Sequence, residues 1–167
     1  MTGYDFSKVT ILCVDDNRHM MTLLKTILRS LGVGTVLETQ RAAEALSIAR
    51  SRPVDMIVTD IRLQDESGLD LIRRIRNSSD STNPFVPIIV VSAHSERSRV
   101  EAARDAGANE YLTKPVRPRD LLVRMRAIIE SPRPFVRTSF YFGPDRRRRD
   151  EPGQVATERR QDLALQG

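Results

Sequence analysis

The feature that most constrains the fold is an alternation of two kinds of apolar segment between residues 8 and 130. Short β-rich runs, several of them almost continuously apolar, are separated by stretches whose apolar residues recur every three or four positions. Continuous apolar runs are typical of strands covered on both faces of a parallel sheet, and the wider spacing is typical of helices with one buried face. The alternation therefore predicts an α/β domain.

Five strands and five helices are predicted in this domain. The predicted strands are Val9–Val14, Thr35–Leu37, Met56–Thr59, Ile88–Val91 and Tyr111–Leu112. Asn17 is placed to cap the first helix, Gly32 to end it, and Pro118 to begin the fifth. Strands and helices that alternate through short connections predict a doubly wound, five-stranded parallel sheet flanked by five helices.

Composition excludes several classes of protein. The single cysteine, Cys13, excludes an internal disulfide framework and a cysteine-based zinc site, and two histidines are too few for a histidine-rich metal cage. No apolar run approaches the roughly 20 residues that a membrane span needs, and the first residues do not resemble a secretory signal. We therefore expect a cytoplasmic protein whose metal, if it has one, is held by oxygen ligands.

Charged and polar side chains follow four of the predicted strands. Asp15 and Asp16 follow the first strand, Asp60 the third, Ser92 the fourth and Lys114 the fifth. The carboxyl ends of parallel strands meet at one edge of the sheet, where sites in doubly wound folds lie. The sequence therefore predicts that three carboxylates, a hydroxyl and an ammonium converge there.

This set of groups has a consistent chemistry. Three carboxylates close together repel one another, and a hard divalent cation such as Mg²⁺ relieves that repulsion through oxygen ligands. An aspartate beside Mg²⁺ can attack phosphorus, while a lysine and a hydroxyl hold the phosphoryl oxygens. A single aspartate at a strand end usually only caps the next helix. Complementary groups at four strand ends favour a site instead.

These residues resemble the receiver domain of bacterial two-component response regulators, in particular the chemotaxis regulators. The resemblance covers about residues 8–130, which we take as the receiver domain, and implies its flavodoxin-like fold. The matching positions are Asp15-Asp16, Asp60, Gly68, Ser92, the turn Ala106–Asn109, Tyr111 and Lys114-Pro115.

The resemblance implies a role for each pocket residue. Asp60 would accept a phosphoryl group from a phosphohistidine on a sensor histidine kinase or a histidine phosphotransfer protein. Asp16 and Asp60 would bind Mg²⁺ directly, together with the backbone carbonyl of Arg62, and Asp15 would bind it through water. The family is a phospho-acceptor module whose only catalysis is its own phosphorylation and dephosphorylation.

The same resemblance implies a conformational switch. Lys114 would pair with the phosphoryl group, Ser92 would move towards it, and Tyr111 would turn from an outward to an inward rotamer. A new dianion would thereby shift a two-state packing equilibrium and reshape the surface made by the fourth helix, fifth strand and fifth helix. That surface also mediates dimerisation of some isolated receivers, so a homodimer is an open expectation.

Three positions depart from the family pattern or vary within it. Gln64 stands where the family usually has a proline, four residues after the acceptor. Arg62 and His94, two residues beyond the acceptor and the hydroxyl, flank the route by which water would attack the phosphoryl group. We expect these two side chains to tune the lifetime of the phosphorylated state; the alternative is that both simply face solvent.

Residues 131–167 form a C-terminal extension with a composition of its own. It begins with the linker-like Ser131–Pro134 and holds four of the chain's eight aromatic residues. It also carries eight basic and five acidic side chains. The segment 135–142 has strand propensity and ends at Gly143-Pro144. The candidate partner-binding residues in it are Phe140, Tyr141, Phe142, Arg146, Arg147, Arg148 and Arg149.

The extension leaves several outputs open. Aromatic and arginine side chains favour docking on a protein partner or on the chain's own receiver, whereas the interleaved acidic residues argue against nucleic-acid binding. Paired arginines also occur in the cyclic-dinucleotide sites of PilZ domains, but the β-barrel that completes such a site is absent from the extension. The simplest alternative is that the extension is a solvated tail. Because the extension is too short for a winged helix, a cyclase or an ATPase, we expect a stand-alone receiver, a phosphorelay intermediate or a phosphate sink.

Other functional classes are less consistent with the residues. A transcriptional or nucleic-acid regulator acting through the arginine-rich tail is the main alternative. An aspartate-nucleophile phosphatase of the haloacid dehalogenase type needs a second aspartate two residues after the first, where this chain has Asn17 or Arg18. A receiver that is never phosphorylated is disfavoured because the acidic pocket is complete.

Overall fold

The five predicted strands form one parallel sheet. A computed structural model describes residues 3–147, and in it the strand order is β2-β1-β3-β4-β5. The strands are β1 (Thr10–Val14), β2 (Thr35–Thr39), β3 (Met56–Thr59), β4 (Ile88–Ser92) and β5 (Glu110–Thr113). The helices are α1 (Arg18–Ser30), α2 (Ala42–Ser51), α3 (Gly68–Asn77), α4 (Arg97–Ala106) and α5 (Pro118–Glu130). The predicted doubly wound fold is confirmed.

The sheet divides the core into two layers. On one face, β-strand side chains such as Ile11 and Val91 pack with α1 and α5, and on the other Leu12 and Val90 pack with α2, α3 and α4. Strands β1, β3 and β4 are buried throughout or nearly so, as their continuous apolar runs predict. Cys13 lies inside β1 with no exposed surface, and burial raises the pKa of its thiol to about 12.

Local signals account for several helix ends. The Asn17 side chain accepts a hydrogen bond from the Met20 backbone N–H, and Ser67 does the same for Leu69. Gly107 ends α4 with φ of +119°, a conformation that other residues rarely adopt. These ends fix where each strand-to-helix loop leaves the sheet, and the loops carry the polar residues.

The C-terminal extension does not stand apart from the receiver domain over its described part. Two short strands, β6 (Phe135–Arg137) and β7 (Phe142–Pro144), form an antiparallel hairpin. The segment 135–142, which has strand propensity, is thus interrupted by a turn. The Thr138 N–H donates a hydrogen bond to the Tyr141 carbonyl at 2.8 Å and closes this turn. The boundary predicted at residue 130 marks the end of α5, while Tyr141–Asp145 are buried against the domain.

Aromatic packing attaches the hairpin to the start of β4. The rings of Phe85, Phe135 and Phe142 lie 5.0–5.6 Å apart in edge and tilted arrangements. Aromatic pairs at this separation contribute beyond their buried area. The hairpin therefore packs a partly exposed aromatic cluster, in which Phe142 is buried, against the end of the sheet opposite the carboxyl ends of the strands.

A buried arginine lies beneath the hairpin. Arg76, at the end of α3, is 1% exposed and donates to the backbone carbonyls of Pro84, Val86 and Gly107 and to the Asn109 side chain at 2.6–3.0 Å. Its guanidinium also lies 4.9 Å from the Phe135 ring centroid. Burial lowers the pKa of Arg76 to about 10. The positive charge of Arg76 is therefore stabilised by neutral hydrogen-bond acceptors and by the face of the Phe135 ring.

No helix between residues 3 and 147 is both long enough and apolar enough to span a membrane.

The Arg76 network leads to a stability prediction. Arg76→Ala removes the donor to the buried carbonyls of Val86 and Gly107 and to the part-buried carbonyl of Pro84, so we expect the free energy of unfolding to fall by about 2–4 kcal/mol. Urea denaturation measures this loss. Arg73→Ala, which removes an exposed pair with Asp70 on the same helix, should cost less than about 1 kcal/mol. Equal and small losses for the two variants would contradict the role of Arg76.

Candidate functional site

The predicted acidic residues meet at the carboxyl ends of the strands. Asp15 continues β1, Asp60 continues β3, and each donates its backbone N–H to a neighbouring strand, to Thr39 and Val14 respectively. One carboxylate oxygen from each of Asp15, Asp16 and Asp60 lies within 4.8 Å of the other two. Asp15 and Asp60 are buried, whereas Asp16 is exposed. The site is therefore an acidic pocket with two buried carboxylates and one, on Asp16, that faces solvent.

Lys114 supplies the positive charge of this pocket. Its Nζ lies 2.8 Å from Asp60 Oδ2 and 3.2 Å from Asp15 Oδ2. Burial disfavours the ammonium, but the hydrogen bond to Asp60 and the charges of both carboxylates outweigh it and raise the pKa of Lys114. The backbone N–H of Lys114 donates to the Ser92 carbonyl at 2.7 Å. Lys114 is therefore a fixed cation between two carboxylates.

The pocket has more negative than positive charge. Burial raises the pKa of Asp15, although the Asn17 N–H and the Lys114 ammonium favour its charged form. One ammonium faces three carboxylates, and all the available ligand atoms of the cluster are oxygens. This donor set suits a hard divalent cation such as Mg²⁺. Asp15, Asp16 and Asp60 are the side chains that would hold it.

Gly68 allows the acceptor loop to close tightly. A Cβ atom at Gly68 would lie 2.0 Å from the Asp60 carbonyl oxygen, and the Gly68 N–H donates to the Ile61 carbonyl at 2.7 Å. Any larger residue would push α3 away from the loop or displace Asp60. The glycine noted in the sequence therefore has a direct steric reason.

Two polar residues of the same loop bind the loop before α2. Gln64, at the usual proline position, bonds Gln40 through both its backbone N–H and its side-chain amide. Asp65 accepts from the Ala42 and Ala43 N–H groups at 2.7 and 3.0 Å. Partial desolvation acts to raise the pKa of Asp65, but the hydrogen bonds from backbone N–H groups outweigh it and lower the pKa. Sequence reasoning missed this cap; the one signal was that α2 begins without a capping side chain at Arg41.

Ser92, His94 and Tyr111 form a connected set beside the pocket. Ser92 is buried, and its Oγ accepts from the His94 backbone N–H at 3.2 Å. The Tyr111 hydroxyl donates to the His94 carbonyl at 2.5 Å. Tyr111 is thus turned towards the loop that follows Ser92, which is the inward side of the expected switch.

The two lifetime candidates follow the acceptor and the hydroxyl residue by two positions and are at least partly exposed. Arg62 is exposed and makes an isolated antiparallel bridge with Ser67. The half-buried His94 ring has Nδ1 3.6 Å from Glu96 Oε2. Neither side chain donates to the three carboxylates, so their effect on dephosphorylation stays a prediction.

The structure separates the candidate partner-binding residues of the extension. Tyr141 and Phe142 are buried in the chain's own fold, whereas Phe140, at the hairpin turn, is 99% exposed. Arg146 pairs with Asp105, and Arg147 bonds Asp145. Arg148 and Arg149 lie outside the described residues. Of the three aromatic candidates, only Phe140 has an exposed side chain that a partner could contact.

Comparison with known proteins identifies the family. The profile of the response regulator receiver domain matches residues 11–126, which is most of the chain. The chain belongs to the response regulator receiver family. The predicted resemblance is therefore confirmed, and with it the membership in two-component signalling.

Relatives of this receiver differ in length. Response regulator MprA of Mycobacterium sp. (strain KMS) is 38% identical over 82% of this chain, but the match spans 55% of MprA. Chemotaxis protein CheY of Pseudomonas aeruginosa is 32% identical over 72% of this chain and 95% of its own length. This receiver therefore spans about half of some relatives and nearly all of others.

Solved structures share the receiver fold. A putative response regulator from Chloroflexus aurantiacus is 30% identical with a TM-score of 0.67, covering 73% of this chain and 98% of its own. The receiver domain of sensor histidine kinase PA1611 from Pseudomonas aeruginosa PAO1 is 32% identical with a TM-score of 0.65, covering 74% and 98%. It was solved with a magnesium ion coordinated in its active-site cleft. The acidic cluster of this receiver supplies ligands of the kind such an ion needs.

The acidic pocket leads to a prediction about Mg²⁺. A cation that binds the folded state should stabilise it, by about 1.4 kcal/mol at ten times its dissociation constant. We expect MgCl₂ to raise the thermal midpoint of wild type and to have little effect on Asp16→Asn, whose exposed carboxylate is not needed for folding. Asp70→Asn, on the exposed surface of α3, is the matched control. An equal Mg²⁺ response in Asp16→Asn would contradict the site.

Proposed function

We propose that Asp60 is the residue that accepts a phosphoryl group from a phosphohistidine donor, on a sensor histidine kinase or a histidine phosphotransfer protein. The observation that carries this proposal is the position of the Asp60 carboxylate, clustered with two further carboxylates and bonded to Lys114 Nζ at 2.8 Å. Asp60 is only slightly exposed, so a donor must approach from the side of Asp16, whose carboxylate faces solvent.

The transfer requires one bond to form and one to break. An Asp60 carboxylate oxygen attacks phosphorus, the P–N bond to the donor imidazole breaks, and the imidazole leaves with the bonding electron pair and takes up a proton. When bound, Mg²⁺ supplies positive charge to the phosphoryl oxygens. Lys114 supplies the second positive charge and needs little movement, because it already contacts Asp60.

Ser92 completes the set as a hydroxyl donor. Its Oγ accepts the His94 N–H in this structure, which leaves its own proton available for a phosphoryl oxygen. When Ser92 reorients, the change passes to His94 and from there to the Tyr111 hydroxyl. This contact series supports phosphorylation-dependent rearrangement of α4 and β5 as the signal.

The proposed output is binding to another protein in the cytoplasm, or onward transfer of the phosphoryl group as a relay or phosphate sink. Phe140 supports protein binding, because an exposed aromatic side chain on an ordered hairpin is a suitable interface anchor. The identity of the downstream partner, and dimerisation through α4 and α5, stay predictions.

A transcriptional output is the second candidate. It is favoured by relatives such as the KDP operon transcriptional regulatory protein KdpE of Escherichia coli, 37% identical over 71% of this chain and 50% of its own length. Against direct DNA binding by the extension, Arg146 and Arg147 are already paired with carboxylates. Titration with duplex DNA at increasing salt separates the two outputs, because phosphate contacts weaken steeply with salt.

The acceptor assignment predicts selective chemical labelling. Acetyl phosphate with Mg²⁺ should produce a phosphorylated band on phosphate-affinity electrophoresis for wild type and none for Asp60→Asn, since an amide is a poor nucleophile towards phosphorus. Asp70→Asn should be labelled as wild type is. Where a small donor fails, a purified histidine kinase replaces it. Labelling of Asp60→Asn equal to wild type would refute the assignment.

The positions of Arg62 and His94 predict an effect on the lifetime of the phosphorylated state. Arg62→Asn and His94→Glu change the charge beside the path of the attacking water, so we expect the dephosphorylation rate to change in at least one of them. Loss of the phosphorylated band over time measures this rate. Arg29→Asn, exposed at the far end of α1, should leave it unchanged. Identical decay in all four proteins would show that the two side chains only face solvent.

A further inference from the structure

Helix α4 is held weakly by its own packing. Ala103 and Ala106 are its buried residues, and Val100 is half-buried. Alanine side chains bury little apolar area, so they contribute far less than the leucines and isoleucines of α1 and α3. No side chain caps the start of α4 at Glu96. The position of this helix therefore depends strongly on what holds its ends.

The C-terminal hairpin holds the end of α4. Arg146 reaches from beyond β7 to Asp105 Oδ1 at 2.7 Å, and its guanidinium lies 4.6 Å from the centroid of the Tyr141 ring. The Tyr141 hydroxyl in turn donates to the Pro144 carbonyl at 2.7 Å. The pair with Asp105 is thus made by a side chain that the hairpin itself positions.

Backbone packing joins the same two elements. A Cβ atom at Gly143 would lie 2.6 Å from the Tyr141 hydroxyl oxygen and 3.1 Å from Gly107 Cα. A Cβ atom at Gly107 would lie 2.9 Å from Arg76 Cγ and 3.4 Å from the Phe142 carbonyl oxygen. Two glycines therefore let the hairpin and the turn after α4 approach closely. On its other side, the hairpin is fixed through Phe135 to Arg76 of α3.

The turn that the hairpin holds leads directly to Tyr111. Asn109 accepts from Arg76 and from the Ile88 N–H, and Glu110 lies within 3.5 Å of Arg133 in the extension and of Arg124 in α5. Tyr111 follows Glu110 and bonds the His94 carbonyl near the acceptor pocket. The extension thus contacts the end of α4 through Asp105 and the first residue of β5, the strand that carries the expected switch residue, through Glu110.

We propose that the C-terminal hairpin is a clamp on the α4–β5 turn, which stabilises the arrangement with Tyr111 turned inward and thereby strengthens occupation of the Asp60 pocket by a phosphoryl group. The inference rests on the proposed function of Asp60. It extends that function, because it makes the extension a regulator of the receiver as well as a surface for partners. Coupling of this kind is reciprocal, so pocket occupation also tightens the hairpin.

The test measures affinity for beryllium trifluoride, a phosphoryl analogue, by calorimetry with Mg²⁺ on the full chain. Arg146→Ala removes an exposed pair and should weaken binding by about two- to fivefold. Gly143→Ala places a methyl group against both the Tyr141 ring and the Gly107 backbone, which would displace the hairpin from the turn, and should weaken binding at least as much. Arg73→Ala, which removes an equivalent exposed pair on α3, should bind as wild type does.

Hydrogen exchange provides the reciprocal measurement. Adding the analogue should slow exchange of the amides of residues 135–145 in wild type and leave Asp60→Asn unchanged. Affinities of Arg146→Ala and Gly143→Ala that equal or exceed the wild-type value would overturn the clamp while leaving Asp60 as acceptor. If wild type binds the analogue no more tightly than Asp60→Asn does, the proposed function is overturned, and the clamp with it.

Discussion

The structure depends on an excess of negative charge at one edge of its sheet. Three carboxylates meet there with a single ammonium, and two of the three are buried. Such a cluster costs folding free energy unless cations balance it. Lys114 provides part of that balance permanently. The remaining negative charge would be balanced by a divalent cation such as Mg²⁺, for which the three carboxylates supply oxygen ligands.

Much of this arrangement could be predicted from the sequence. Asp15, Asp60 and Lys114 directly follow strands and Ser92 ends one, and parallel strands bring their carboxyl ends together. The continuous apolar runs of β1, β3 and β4 predicted strands covered on both faces, and the structure places these three in the centre of the sheet. Residue order alone was thus enough to place the pocket, although the distances within it required the structure.

The contacts between distant segments were not predictable in the same way. Asp65 caps α2 from another loop, and Arg76 is buried beneath a hairpin that follows it by about sixty residues. In the sequence Arg76 is one of several arginines on a helix, and 135–142 is one stretch with strand propensity. Only tertiary packing distinguishes Tyr141 and Phe142, which stabilise the fold, from Phe140, which remains exposed.

We propose that Asp60, and not Asp15 or Asp16, carries the phosphoryl group. Sodium borohydride reduces an acyl phosphate on aspartate to homoserine, and peptide mass spectrometry then locates the altered residue. We expect homoserine at position 60 after treatment with acetyl phosphate and Mg²⁺, with residues 15 and 16 unchanged. Homoserine at position 15 or 16, with position 60 intact, would contradict it.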